Sequence, residues 1–264
     1  MKKGLAYISL LAFVFSICAL SPANASSLSS VDDLQAGDLI RGQSFSAVYY
    51  YGVDGFRYVF PNDKVYFTWY TDFDDVKWIS DTDMTTIQIG GNVTYKPGVK
   101  MIKITSDPKT YAVSENGTLQ WVSTEQVAID LYGNTWNTNI DDVPDAFFGN
   151  YTLGQEIEES SSFSVIGELA AAYSIDADKG LKAARAISIT ASQYSPSSVT
   201  IDVGTAVRWT NNDSENHSAT EFSKDWGSGT MAPGVTFARY FNEAGTYEYY
   251  DKYSDEMIGI IIVE

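Results

Sequence analysis

Cysteine and histidine are almost absent from this chain, which has one of each, Cys18 and His217, in 264 residues. A single cysteine excludes an intrachain disulfide, and Cys18 lies in the N-terminal leader, so stability rests on packing alone. One histidine leaves room for a single Ser/His/Asp set. No G-x-S-x-G, H-E-x-x-H, phosphate-loop or dinucleotide-binding pattern accompanies it, and a non-enzymatic protein is expected. Paired carboxylates are plentiful, but no spacing singles out a catalytic pair.

Basic residues are scarce too: 17 Lys and Arg stand against 34 Asp and Glu, a net charge of −17. Phosphate backbones would be repelled, so nucleic acid is excluded as a partner. After the leader no apolar run is long enough to span a bilayer, so no transmembrane anchor is expected.

What is present begins with an export signal. Lys2 and Lys3 precede an apolar stretch, Leu5 to Leu20, and the small-residue site Ala23-Asn-Ala25. Residues 1–25 therefore read as a signal peptide cleaved after Ala25, giving a secreted protein or one held at the cell surface. Its loss removes two positive charges and makes the chain more acidic. Residues 26–36, rich in Ser and Asp, read as a short loose arm.

Residues 37–154 alternate aromatic or β-branched runs with turn residues, the pattern of short strands. Asp54-Gly55 and Asn116-Gly117 each sit between such runs and suit two-residue type I′ hairpins. These turns expose an internal repeat at an offset of 62: Tyr49 matches Tyr111, Gly55 Gly117, Val65 Val127 and Tyr70 Tyr132. Each copy reads as a hairpin, a short helix such as Thr124 to Tyr132, and a return segment. Two copies are too few for a freestanding solenoid, so they are expected to form one α+β or mostly-β domain. This repeat resembles modules of exported bacterial surface proteins, which implies location rather than activity.

The repeat's aromatic residues are first a core, because a small sheet domain needs large apolar side chains. Trp69, Trp78 and Trp136, flanked by acidic or amide residues, are the candidates for stacking on a sugar. A cell-wall glycan or a surface protein is accordingly the expected partner. The acidic cluster Asp72, Asp74, Asp75, Asp81 and Asp83 offers oxygen ligands for calcium, but without EF-hand spacing it reads as solvated loops. Residues 155–185 read as a linker, acidic and Ser-rich at first, with a short helix from Val165 to Tyr173.

From residue 186 to 264 the rhythm is that of a Greek-key sandwich. The run Val199-Thr-Ile201-Asp-Val203-Gly204 leads to Val207-Arg-Trp209-Thr-Asn-Asn212-Asp213 and His217. It closes with Gly245-Thr-Tyr247-Glu-Tyr249-Tyr-Asp251, Ser254 and Met257. Over 187–264 this resembles the plastocyanin/amicyanin-like cupredoxins, and the resemblance implies their β-sandwich and a copper site. Its ligand positions would be His217, residue 251 where the family has Cys, residue 254 where it has a second His, and Met257. Here 251 is Asp and 254 is Ser. A blue-copper centre needs two imidazoles and a thiolate, so none can form within one chain. The expected role is that of a metal-free interaction or structural domain without a cofactor. The alternative is a non-blue Cu(II) site built from His217, Asp251 and Met257. Electron transfer ranks below both, since a carboxylate in place of a soft thiolate raises the reorganisation on reduction.

Overall fold

The computed structural model describes residues 28–264, and the signal-peptide reading of residues 1–25 lies outside the described residues. The N-terminal half carries β1 (Leu39–Arg41), β2 (Tyr49–Tyr51), β3 (Arg57–Val59), α1 (Asp63–Trp69), β4 (Val76–Trp78), α2 (Asp81–Thr86) and β5 (Ile89–Asn92). There follow β6 (Met101–Lys103), β7 (Tyr111–Ser114), β8 (Thr118–Trp121), α3 (Glu125–Tyr132), β9 (Ile140–Asp142), α4 (Asp145–Phe148) and β10 (Thr152–Leu153). Each group forms a five-stranded sheet, in the orders β4-β1-β2-β3-β5 and β9-β6-β7-β8-β10. Corresponding strands thus take corresponding places.

Local chemistry sets the helix starts alike. Asn62 Oδ1 accepts from Val65 N at 2.9 Å to begin α1, and Thr124 Oγ1 accepts from Val127 N at 3.2 Å to begin α3. The two turns differ. Asn116 and Gly117 both have positive φ, 54° and 64°, as a type I′ turn requires. At the other turn only Gly55 is left-handed, so the type I′ expectation fails at Asp54-Gly55. Asp54 points inward instead and accepts from Phe56 N at 3.0 Å. Of the residues expected as a loose arm, those described, 28–36, are tied down: Ser29 N donates to Trp78 O at 2.8 Å, and Leu34 is buried.

The two sheets stack unequally. One face of the first sheet, with Tyr50, Phe60 and Val65, packs against Ile102, Tyr111, Val113 and Leu119 of the second. The positions 62 residues on from that face are Ala112, Val122 and Val127, and they pack instead on Ile157 and Phe163. A segment expected as linker therefore covers the face for which no third sheet exists. Burying Ile157 fully contributes about 2 kcal/mol.

Two short helices follow, α5 (Val165–Ala171) and α6 (Ile175–Lys179). From α6, Asp176 accepts from Val53 N at 3.0 Å, and Asp178 accepts from Asn116 N at 3.0 Å. One helix thus holds the tips of both hairpins.

The C-terminal half comprises β11 (Arg185–Thr190), β12 (Gln193–Ser195), β13 (Ser198–Ile201), β14 (Thr205–Asn211), β15 (Thr220–Glu221), β16 (Thr236–Phe241), β17 (Gly245–Asp251) and β18 (Ser254–Val263). They form two four-stranded sheets, β12-β11-β14-β16 and β13-β18-β17-β15. Alternation buries Val199 and Ile201 of β13 while their neighbours face water. Trp209, Phe241, Tyr249, Met231 and Ile261 fill the space between the sheets. Overall the described chain is mostly β, ending in a Greek-key β-sandwich.

The halves meet around Asp54, which is fully buried. Its carboxylate accepts from Tyr58 OH at 2.5 Å and from Tyr240 OH across the boundary. Arg208 donates to the carbonyl oxygens of Asp54 and Gly55 at 3.2 and 2.5 Å. Gln88 Nε2 adds a bond to Ala238 O at 3.1 Å.

Candidate functional site

His217 precedes the short strand β15, and Asp251 ends β17. Strand pairing brings these two elements together, with Thr220 opposite Tyr250. The loop before His217 is built around Asn211, which is fully buried. Its Nδ2 donates to Glu215 O at 2.8 Å and Met231 O at 2.7 Å, and its Oδ1 accepts from Asp213 N at 3.0 Å. A reciprocal backbone bridge joins His217 to Met231, at 3.0 and 2.8 Å. The imidazole therefore enters the sandwich end in a fixed orientation.

Both ring nitrogens meet carboxylates. Nδ1 lies 2.6 Å from Asp251 Oδ2, and Nε2 lies 2.8 Å from Asp213 Oδ2. An ionised carboxylate only accepts, so the two contacts are satisfied together only by the doubly protonated ring, the imidazolium. Burial by itself disfavours that charge. The hydrogen bond to Asp213, and then that to Asp251, outweigh burial and hold the His217 pKa above its ordinary value. The same bond holds the Asp213 carboxyl below its usual range. Asp251 is fully buried, and its Oδ1 is also occupied, by Ser218 N at 2.7 Å, Ser218 Oγ at 3.2 Å and Tyr253 N at 3.2 Å.

The remaining family ligand positions, 254 and 257, both lie on β18. Ser254 pairs with Asp251 where β17 and β18 turn, and lines a cleft of about 460 Å³ with Asp213, Glu215, His217 and Tyr253. Met257 is buried in the core cluster beside Met231 and Trp209. Two residues of the site escaped the sequence reading, Asp213 and Ser218. Asp213 stands four residues before the only histidine, a spacing that carried the signal.

The residues do not fit a blue-copper ion. An imidazolium has no lone pair for a metal, and the thiolate position holds a carboxylate already spent on hydrogen bonds. For any metal to use His217, a proton must leave and a bond to Asp213 or Asp251 must break. Among the described residues, no group of three or more His, Cys, Asp or Glu side chains is arranged to hold a metal ion.

The tryptophan candidates also separate. Trp69 donates from Nε1 to Thr94 O at 2.9 Å, and Trp78 lies under Arg41 with the guanidinium carbon 4.0 Å from its ring centroid. Trp136 lines a cleft with Trp121. In the acidic cluster, Asp81 accepts from Gln43 N at 2.8 Å and from Ser44 N at 3.2 Å, tying down a loop. Among the described residues no helix is long and apolar enough to cross a membrane.

Neither a protein-family model nor any curated protein matches the chain. Among solved structures it is similar to a purple cupredoxin from Nitrosopumilus maritimus at 30% identity, over 30% of this chain and 99% of that one, with TM-score 0.29. A reduced mutant of amicyanin matches at 24% identity over 31% of this chain and 82% of that one, TM-score 0.29. A Cu(I) form of another amicyanin mutant matches at 25% over 31% and 84%, TM-score 0.30. By its own strand order, the part of the chain from Arg185 to Val263 is a cupredoxin-like Greek-key sandwich.

Proposed function

We propose that this is an exported, non-enzymatic surface protein whose N-terminal half makes contacts and whose sandwich serves as a rigid, metal-free domain. One observation carries this reading: the only histidine has both ring nitrogens bonded to carboxylates. In a copper site one of those nitrogens is free of hydrogen-bond partners and faces the ion while the other donates to a neighbouring acceptor, and here neither is free. Here Asp213, His217 and Asp251 form an internal ionic bridge, with the imidazolium standing where a cation would. Such a bridge ties the loop after β14 to the end of β17 without a metal. The same sheet topology in the two N-terminal groups supports a duplicated module, and duplication suits repeated contact with an extended partner such as wall glycan or a surface protein.

Paramagnetic resonance of the purified, metal-stripped protein with added Cu(II) tests the reading. Free aquo-copper is the expected spectrum. A bound signal with nitrogen hyperfine coupling that His217→Ala abolishes would establish the alternative, a non-blue Cu(II) site. Export is tested separately by fractionating cells and locating the protein and its mature N-terminus.

A further inference from the structure

The N-terminal half holds two clefts in matching places. The first, about 510 Å³, lies where β3 runs into α1, and the second, about 370 Å³, where β8 runs into α3. Their walls correspond at the offset of 62: Val59 with Trp121, Phe60 with Val122, and Asp63 with Glu125. Both volumes lie in the roughly 300–1,000 Å³ range of small-molecule sites.

Their chemistry diverges. In the first cleft Ala47, Val48, Val59 and Pro61 make an apolar wall, and Phe147 of α4 reaches in from the second group of elements. At the matching positions the second cleft has Lys109, Thr110, Trp121 and Ser123. No residue of α4 or of any later element lines it, and Trp136 joins Trp121 in its lining. Lys109 and Glu125 are exposed, while both indoles are half-buried. The Lys109 ammonium lies 4.4 Å from the Trp121 ring centroid. It keeps that indole poised at the rim, held by a cation–π contact that a ligand can exchange.

We infer that the Trp121–Trp136 cleft is a saccharide-binding site. A pyranose has an apolar C–H face that suits an indole, and hydroxyls that suit a ring of short donors and acceptors. The second cleft offers both in a concave space, with Thr110, Ser123, Thr124, Lys109 and Glu125 around the two rings. An apolar peptide would use few of those polar groups, whereas the first cleft, already entered by Phe147, shows the lining that an aromatic side chain selects. The inference rests on the proposed division of labour, in which the N-terminal half makes contacts.

The test is a tryptophan-fluorescence and calorimetric titration of the purified protein with cellotetraose, chitotetraose, mannotetraose and galactotetraose. A synthetic peptide of residues 143–151, which carries Phe147, is titrated alongside. Saturable binding of at least one sugar is expected, weakened about tenfold by Trp121→Ala and by Trp136→Ala, the loss of one stacking contact. Glu125→Gln, on an exposed side chain, should weaken it without altering the fold. Phe73→Ala, in the first cleft, should leave it unchanged. No heat or fluorescence change with any of the four sugars would overturn the inference. So would sugar binding indifferent to Trp121→Ala and Glu125→Gln, or a preference for the peptide over every sugar. Copper binding by His217 would overturn the proposed function yet leave these titrations untouched, so the two failures are distinguishable.

Discussion

Asp251 Oδ2 and His217 Nδ1 face each other at 2.6 Å, with the Asp251 side chain wholly out of water. A buried carboxylate costs solvation energy unless it is paired and hydrogen-bonded. Asp251 meets both conditions through His217, Ser218 and Tyr253.

Removing the cation should therefore cost more than removing a surface charge. His217→Ala leaves Asp251 buried without its counter-charge, and a loss of about 3 kcal/mol is expected in urea unfolding. Asp213→Asn neutralises the more exposed partner while keeping an acceptor, and should cost clearly less. Equal, small losses in the two variants would refute the ionic bridge.

The pH dependence follows with a definite sign. His217 has a folded pKa above its unfolded value of 6.5, so its contribution is complete below pH 6.5 and fades as pH rises through the folded value. Asp178 adds to this in the same direction. Burial, outweighing the Asn116 hydrogen bond, raises its pKa from 3.8 to about 6, so the folded protein binds its proton more readily than the unfolded chain. Stability from that group rises as pH falls from about 7 towards 4, by up to about 2–3 kcal/mol. The melting temperature should accordingly be higher at pH 5 than at pH 8. Asp178→Asn should flatten the profile between pH 4 and 7 and His217→Gln the part above it. A melting temperature that climbs with pH would contradict both assignments.

Gly259 supplies a steric test of the sandwich. It pairs with Tyr249 across β17 and β18, and a Cβ there would run into the Tyr249 ring. That ring is fully buried among Trp209, Trp226 and Tyr194, so it has little room to shift. Gly259→Ala should destabilise by about 1–3 kcal/mol in thermal or denaturant unfolding. A neutral effect would mean that Tyr249 does not lie over the glycine.

Much of the sandwich was legible because its signal is local. Alternation in Val199-Thr-Ile201 and in Tyr247-Glu-Tyr249 fixes which side chains face inward, and the strand β14 emerges from the Val207–Trp209 pattern. Thr124 announces α3 as its cap, within one residue of the expected start. What stayed hidden depends on groups far apart in sequence. Asp54 reads as a turn residue, yet its carboxylate is captured by Tyr240, 186 positions away, and the turn changes type accordingly. Residues 155–164 read as solvated linker because Glu and Ser dominate, but two apolar side chains, Ile157 and Phe163, decide their fate by filling a sheet face. His217 and Asp251 were paired from the sequence as a candidate site, and the structure joins them by a hydrogen bond. The second carboxylate on His217 required knowing which way the imidazole points.

The capture of Asp54 leads to a prediction about the joint between the halves. Tyr240 OH bonds to the Asp54 carboxylate and lies 2.8 Å from Tyr58 OH, while the ring of Tyr240 stacks on Phe56 at 5.1 Å. Tyr240→Phe keeps the stacking and removes one donor from a fully buried acid. Burial already raises the Asp54 pKa, more than the Tyr58 and Phe56 hydrogen bonds and Arg208 lower it. With one donor gone the ionised form becomes harder to keep, so the variant should lose about 1–2 kcal/mol at neutral pH. Protonation offers Asp54 an escape, so the loss should shrink as the pH falls. Calorimetry gives the decisive reading, because Asp54, Tyr58 and Tyr240 span the boundary. Wild type should melt in one cooperative transition, and Tyr240→Phe should separate the halves into two at pH 7 while leaving them closer together at pH 5. Two transitions already resolved in the wild type, or a variant that melts like wild type at both pH values, would show that this junction does not couple the halves.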